Sequence, residues 1–166
     1  LLAKWPDALL ILVPRHPERF KNVYQTCCDA GYKTVKRSSM NELDDSVQVL
    51  LADTMGELML FYAASDVAFV GGSLIESGGH NPLEPAALKM PVIMGPHVFN
   101  FETICHELSA AGGLKFVGSA TLLADRVGEF FEDDMYRKDV GESAYSVVEA
   151  NRGALSRLLE VIDTAL

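Results

Sequence analysis

Short apolar runs alternate with helical patterns along this chain, and no other feature restricts its fold as much. Ala8-Leu9-Leu10-Ile11-Leu12-Val13 is a continuous apolar run, long enough for a strand buried on both faces. Pro14 ends it, Pro17 opens a helix carrying Phe20, Val23, Tyr24, Cys27 and Cys28, and Gly31 stands where a C-terminal cap belongs. Further strands are predicted at 32–36, 47–52, 66–70, 91–94 and 115–117. Helices are predicted at 56–64, 82–89, 101–111 and 121–132, with a helical tail over 134–166 striped by Leu155, Leu158, Leu159 and Ile162. This alternation predicts an α/β fold, a Rossmann-like doubly wound parallel sheet. Right-handed crossovers gather the loops after the strands along one sheet edge, where ligands of such folds bind. With 166 residues and no repeat, low-complexity tract or internal linker, residues 1–166 read as a single domain. Residues 1–5 look like the end of a helix, followed at once by a turn and a strand, which reads as a piece of a longer protein.

The net charge of −9 argues against a general nucleic-acid or anionic-membrane surface, where Lys and Arg dominate. An anionic ligand must be met by a local basic cluster. Cys27, Cys28 and Cys105 are odd in number and do not form a disulfide framework, so they read as buried apolar thiols in a reducing compartment. No Cys/His spacing points to a metal, no cofactor motif is present, and no stretch approaches the ~20 apolar residues of a membrane span.

Three clusters fall at predicted strand ends. Pro14-Arg15-His16-Pro17-Glu18-Arg19 stiffens a strand-to-helix turn with two prolines. Arg15 and His16 there stand near free helix amides that favour an anion, and a guanidinium fork matches phosphate oxygens. A solvated arginine near a helix start is the plainer alternative. In Asp53-Thr54-Met55-Gly56-Glu57, Thr54 and Glu57 have capping-box spacing, while Gly56 in a first helical turn costs stability unless something approaches the backbone. Structure and ligand both account for this segment. The third cluster runs Gly71-Gly72-Ser73-Leu74-Ile75-Glu76-Ser77-Gly78-Gly79-His80-Asn81-Pro82-Leu83-Glu84. Asn81 fits an N-cap, Pro82 the first helical position and Glu84 a second capping box. Yet its glycines exceed what a cap needs, and the Glu84 carboxylate can also accept from both hydroxyls of a ribose. The patterns G-x-G-x-x-G, G-x-x-x-x-G-K-[ST] and G-x-S-x-G are absent.

Taken together with Gly95-Pro96-His97 and Asn100-Phe101, these segments resemble the family of 3-deoxy-D-manno-octulosonic acid (Kdo) transferases. The combination of P-R-H-P-E-R with G-G-H-N-P-L-E carries the resemblance, and the motifs keep the family's order over most of the chain. It implies the C-terminal half of a GT-B glycosyltransferase that binds CMP-Kdo or CMP. Kdo would then pass, with inversion, to a lipid A precursor in lipopolysaccharide biosynthesis at the cytoplasmic face of the bacterial inner membrane. By that likeness Pro14 and Arg15 contact CMP, with Arg15 on the phosphate. Met55, Gly56 and Glu57 line the nucleotide, while Asn81, Pro82, Leu83 and Glu84 hold ribose and phosphate. His16, His97 and Asn100 are weaker transfers. Glu76 and Glu84 stand eight apart like the acidic pair of retaining transferases, but an inverting family leaves Glu76 without a catalytic role.

The same resemblance puts the catalytic base, the acceptor site and the membrane contact in an N-terminal domain absent from this chain. The fragment itself should then be soluble, bind donor and catalyse nothing. Two other classes share the reading: a GT-B transferase using a UDP-sugar, and a non-catalytic nucleotide-binding module.

Overall fold

The computed structural model describes residues 1–39 and 43–152. The chain divides into two compact units, Leu1–Ser65 and Asp66–Leu166. The expected alternation is present in both: β1 (Leu10–Leu12), α1 (Phe20–Asp29), β2 (Thr34–Lys36), β3 (Val49–Leu51) and α2 (Leu58–Ala63) build the first unit. The second holds β4 (Ala68–Phe69), α3 (Leu83–Ala86), β5 (Val92–Met94), α4 (Glu102–Ala110), β6 (Leu114–Phe116), α5 (Ala120–Glu132) and α6 (Asp134–Asn151). Among the described residues all pairing is parallel, as the predicted α/β class requires, and runs within two three-stranded sheets of order β1-β3-β2 and β4-β5-β6.

In the first unit β3 is central. Its residues are buried, and Leu50 and Ala52 pack with Phe61 of α2 against Ile11 and Val13. β1 departs from the expectation of a strand buried on both faces, because Leu10 is 53% exposed. Among the described residues of this unit it pairs with β3. Pro17 does not open α1 directly but begins a 3-10 turn, Pro17–Arg19, that runs into it. Gly31, at φ +84°, ends α1 as expected: its amide donates to the Cys28 carbonyl at 2.9 Å and that of Tyr32 to Cys27 at 3.1 Å. This pair is a Schellman closure, which needs the left-handed residue that glycine supplies without strain. Residues 1–5 form one turn, with the amides of Lys4 and Trp5 both on the Leu1 carbonyl.

In the second unit Val92, Ile93 and Met94 are fully buried between two apolar layers. Cys105 and Leu108 of α4 and Ala144 of α6 pack with Val92 and Met94, whereas Phe130 of α5 and Val140 of α6 pack with Ile93. Ser119 caps α5 through the amide of Leu122, and Asp133 caps α6 through that of Tyr136. These caps mark the breaks between helices that apolar periodicity alone does not show. Glycines allow the close approach of α6: a Cβ on Gly141 would stand 1.9 Å from the Lys89 carbonyl oxygen, and one on Gly113 2.4 Å from the Ala144 backbone. The helical stripe expected at Leu155, Leu158, Leu159 and Ile162 lies outside the described residues. Cys105 is buried as predicted, but Cys27 and Cys28 are only half-buried on α1, and all three are free thiols.

Candidate functional site

In the first unit the strand order places the loop after β3 between the loops that follow β1 and β2. After β1 comes half-buried Pro14, then Arg15 and His16, both exposed to solvent. The His16 ring lies beside Glu18, with Nδ1 3.8 Å from Oε1. Arg15 thus precedes a 3-10 turn, with its side chain exposed to solvent.

The loop after β3 is built differently from the expected capping box. α2 starts at Leu58, its N-cap position is Glu57, and no side chain caps it. The Thr54 hydroxyl instead donates to the Glu57 carboxylate itself, which also receives the Arg37 guanidinium, Nη2 to Oε1 at 3.0 Å. The Thr54 hydroxyl is the main reason that the Glu57 carboxyl sits below the usual range, and Arg37 adds to it against the opposing effect of burial. At the other end of the loop, Ser38 gives its amide and its hydroxyl to the two carboxylate oxygens of Asp53, at 2.8 and 2.6 Å. Partial burial raises the Asp53 carboxyl, but these bonds outweigh it and the group ends below its ordinary value.

Between these anchors Met55 is 65% exposed, and Gly56 adopts φ +84° with nothing within 4 Å of where a Cβ would be. The left-handed backbone therefore explains Gly56. It lies ahead of the helix, not in its first turn. Arg37 and Ser38 are the residues that sequence reasoning missed. The signal was their position directly after β2, the neighbour of β3.

In the second unit the glycine-rich segment is a loop closed on itself. The Gly79 amide donates to the Gly72 carbonyl at 3.0 Å and that of His80 to Gly71 at 3.2 Å. The loop after β5 closes over it, with the His97 amide on the Ser73 carbonyl and the Asn100 amide on that of Gly78. The Asn100 side chain adds a bond to the Ser77 carbonyl at 3.2 Å. A Cβ on Gly78 would meet Asn100 Nδ2 at 2.4 Å. The surplus of glycine is thus explained by positive φ at Gly72, Gly78 and Gly79 and by this packing. Asn100 serves the loop's own structure through these bonds.

The second capping box is also absent. α3 starts at Leu83, and Pro82 holds the N-cap position without a side-chain bond. Asn81 makes an Asx turn, its Oδ1 accepting from the Leu83 amide at 3.0 Å. Pro82 is buried and shapes this turn, while Leu83 and Glu84 are half-buried. Relieved of the cap, the Glu84 carboxylate keeps its acceptor capacity for something else. Among the described residues no group of three or more His, Cys, Asp or Glu side chains is gathered as a metal would require.

Parallel strands, crossover helices and shaped loops at the strand ends define a Rossmann-like domain of the GT-B kind. The chain belongs to the glycosyl transferases group 1, whose pattern matches residues 4–147. Over 163 residues it is 47% identical to the 3-deoxy-D-manno-octulosonic acid transferase of Haemophilus influenzae, covering 98% of this chain and 38% of that protein. With the transferase of Bordetella pertussis it shares 36% identity over 162 residues, 97% of this chain and again 38% of the relative. The crystal structure of the C-terminal CMP-Kdo binding domain of WaaA from Acinetobacter baumannii superposes with a TM-score of 0.83 at 39% identity, over 89% of this chain and 79% of that one. The resemblance to Kdo transferases read from the motifs is borne out. The chain spans 38% of the length of each of the two transferases.

Proposed function

We propose that this chain is the donor-binding part of a Kdo transferase, holding CMP-Kdo while the full-length enzyme passes Kdo, with inversion, to a lipid A precursor. The observation that carries the reading is the 39% identity and 0.83 TM-score with a domain named for CMP-Kdo binding. Residues 1–166 form one donor-binding domain. The acceptor site, the catalytic base and the contact with the cytoplasmic face of the inner membrane belong to residues outside this chain. Among the described residues no helix is long and apolar enough to cross a membrane.

The residues divide the donor by chemistry. Arg15, exposed after β1, meets the phosphate with a fork that a chain of net charge −9 supplies locally. Pro14 holds the turn, and the loop of Met55, Gly56 and Glu57 lines the nucleotide. Asn81, Pro82 and Leu83 form the turn that carries Glu84, whose carboxylate accepts from the ribose hydroxyls.

An NMR titration of the chain with CMP, UMP and free Kdo tests the reading. CMP should shift the amides of Arg15, of Met55, Gly56 and Glu57, and of Asn81, Leu83 and Glu84, with UMP weaker. A preference for UMP, or shifts scattered away from these loops, would sink it.

A further inference from the structure

The segment from Asp53 to Glu57 is fastened at both ends and open in the middle. Ser38 holds Asp53 through two bonds, and Arg37 with Thr54 occupies both oxygens of Glu57. Between them stand a methionine 65% exposed and a glycine in left-handed conformation with no atom within 4 Å of its absent Cβ. Holding a short loop in one conformation removes backbone entropy, and leaving a large apolar side chain in water recovers none of it. Such an arrangement stabilises a presented surface more than it stabilises a core.

The fastening comes from the 3-10 turn Arg37–Ser39 directly after β2, and β2 pairs with β3 so that Lys36 lies opposite Leu51. The two loops therefore leave neighbouring strand ends, and the turn is placed to grip its neighbour.

We propose that Arg37 and Ser38 are positioning residues for donor binding, acting through Glu57 and Asp53 on the Met55-Gly56 loop. Glu57 then supports the nucleotide through the shape of this loop, and its carboxylate is committed to Arg37 and Thr54, not to a ligand hydroxyl. This deepens the reading of the loop as a nucleotide-lining segment and rests on it.

Calorimetric titration of the chain with CMP and with cytidine tests the proposal, and thermal denaturation of each variant reports on its folding. Arg37→Met should weaken CMP and cytidine by the same factor, about ten-fold, because a displaced loop affects the nucleoside and not only the phosphate. Arg37→Lys should recover most of that loss, since the contact uses a single nitrogen. In a Glu57→Gln background, Arg37→Met should add little, as expected of residues acting in one chain. Ser38→Ala should weaken both ligands in the same direction. A loss confined to CMP would make Arg37 a phosphate ligand and overturn the proposal, as would additive losses or no loss at all. The reading beneath it fails separately, if CMP leaves the amides of Met55 and Gly56 of the unaltered chain unmoved.

Discussion

Ser73 accepts the amide proton of Gly95 at 2.8 Å while giving its own hydroxyl proton to the Val70 carbonyl at 2.7 Å. One buried hydroxyl thus joins the carboxyl end of β4 to that of β5, where the loops of the second unit begin. Ser73→Ala leaves the Gly95 amide buried without a partner, at a cost of about 1–3 kcal/mol. In a chain of this size each kcal/mol lowers Tm by about 2–4 °C. Gly95→Ala should be worse, because its Cβ would stand 2.1 Å from the Ser73 carbonyl oxygen and the obstacle is backbone. Differential scanning calorimetry reads both, and a Ser73→Ala protein melting with the wild type would show the tie to be dispensable.

Two glycines with the same backbone conformation should respond differently to alanine. Gly56 and Gly78 have φ of +84° and +81°, but only Gly78 is crowded, with Asn100 Nδ2 and Phe99 Cε2 at 2.4 and 2.5 Å from a built Cβ. Gly56→Ala should cost the strain of a left-handed residue alone, about 1–2 kcal/mol. Gly78→Ala adds displacement of Asn100 and loss of its bond to the Ser77 carbonyl. Chemical denaturation should rank Gly78→Ala clearly below Gly56→Ala, and equal losses would mean that the close packing has no energetic weight.

Burial pushes the Cys105 thiol up from 9.0 to about 11. As pH rises above 9, the unfolded chain loses this proton before the folded one does, so stability is complete below pH 9 and falls as the pH approaches 11. Denaturant midpoints should therefore drop across that window more steeply in the wild type than in Cys105→Ala, whose cavity cost is present at every pH. A thiol reagent at neutral pH should modify Cys27 or Cys28 well before Cys105. Parallel alkaline curves for the two proteins would remove the burial argument.

The strands β1, β3 and β5 were legible because each lies in an apolar run, and burial needs no partner to be named in advance. What changed was extent: Ala8 to Val13 is one continuous run, yet only Leu10–Leu12 pairs, since the ladder ends where β3 ends. The helix starts were misread for a physical reason. The Thr-x-x-Glu and Asn-x-x-Glu spacings allow a capping box, but they allow equally well a bond between side chains, as at Thr54 and Glu57, or an Asx turn, as at Asn81. Arg37 and Ser38 escaped notice because their partners are Glu57 and Asp53, twenty and fifteen residues away. Their relation exists only once β2 lies beside β3.

Arg15 should distinguish phosphate from nucleoside. A charge-assisted contact to phosphate is worth about 1.5–3 kcal/mol, so Arg15→Ala should weaken CMP about ten-fold or more. Arg15→Lys should recover only part, because a point charge replaces a two-pronged fork. Cytidine, lacking the phosphate, should bind both proteins alike. Titration calorimetry that finds CMP and cytidine weakened equally would make Arg15 a structural residue of the turn before Pro17–Arg19.

Glu84 carries the sharpest contrast, since the side-chain bond at the start of α3 comes from Asn81 Oδ1 to the Leu83 amide and not from Glu84. With no cap to lose, Glu84→Gln should leave the melting temperature close to that of the wild type. As a ribose ligand the carboxylate accepts two hydroxyl protons, whereas glutamine offers one acceptor oxygen and an amide that donates. CMP affinity should therefore fall several-fold in Glu84→Gln while the fold stays intact. The 2′,3′-dideoxy form of CMP has no hydroxyls to offer, so it should bind wild type and variant equally, and more weakly than CMP binds the wild type. Calorimetry on the two proteins with the two ligands closes a thermodynamic cycle around this contact. If dideoxy-CMP binds the wild type as tightly as CMP does, the ribose hydroxyls make no contact worth measuring and Glu84 must be given another task.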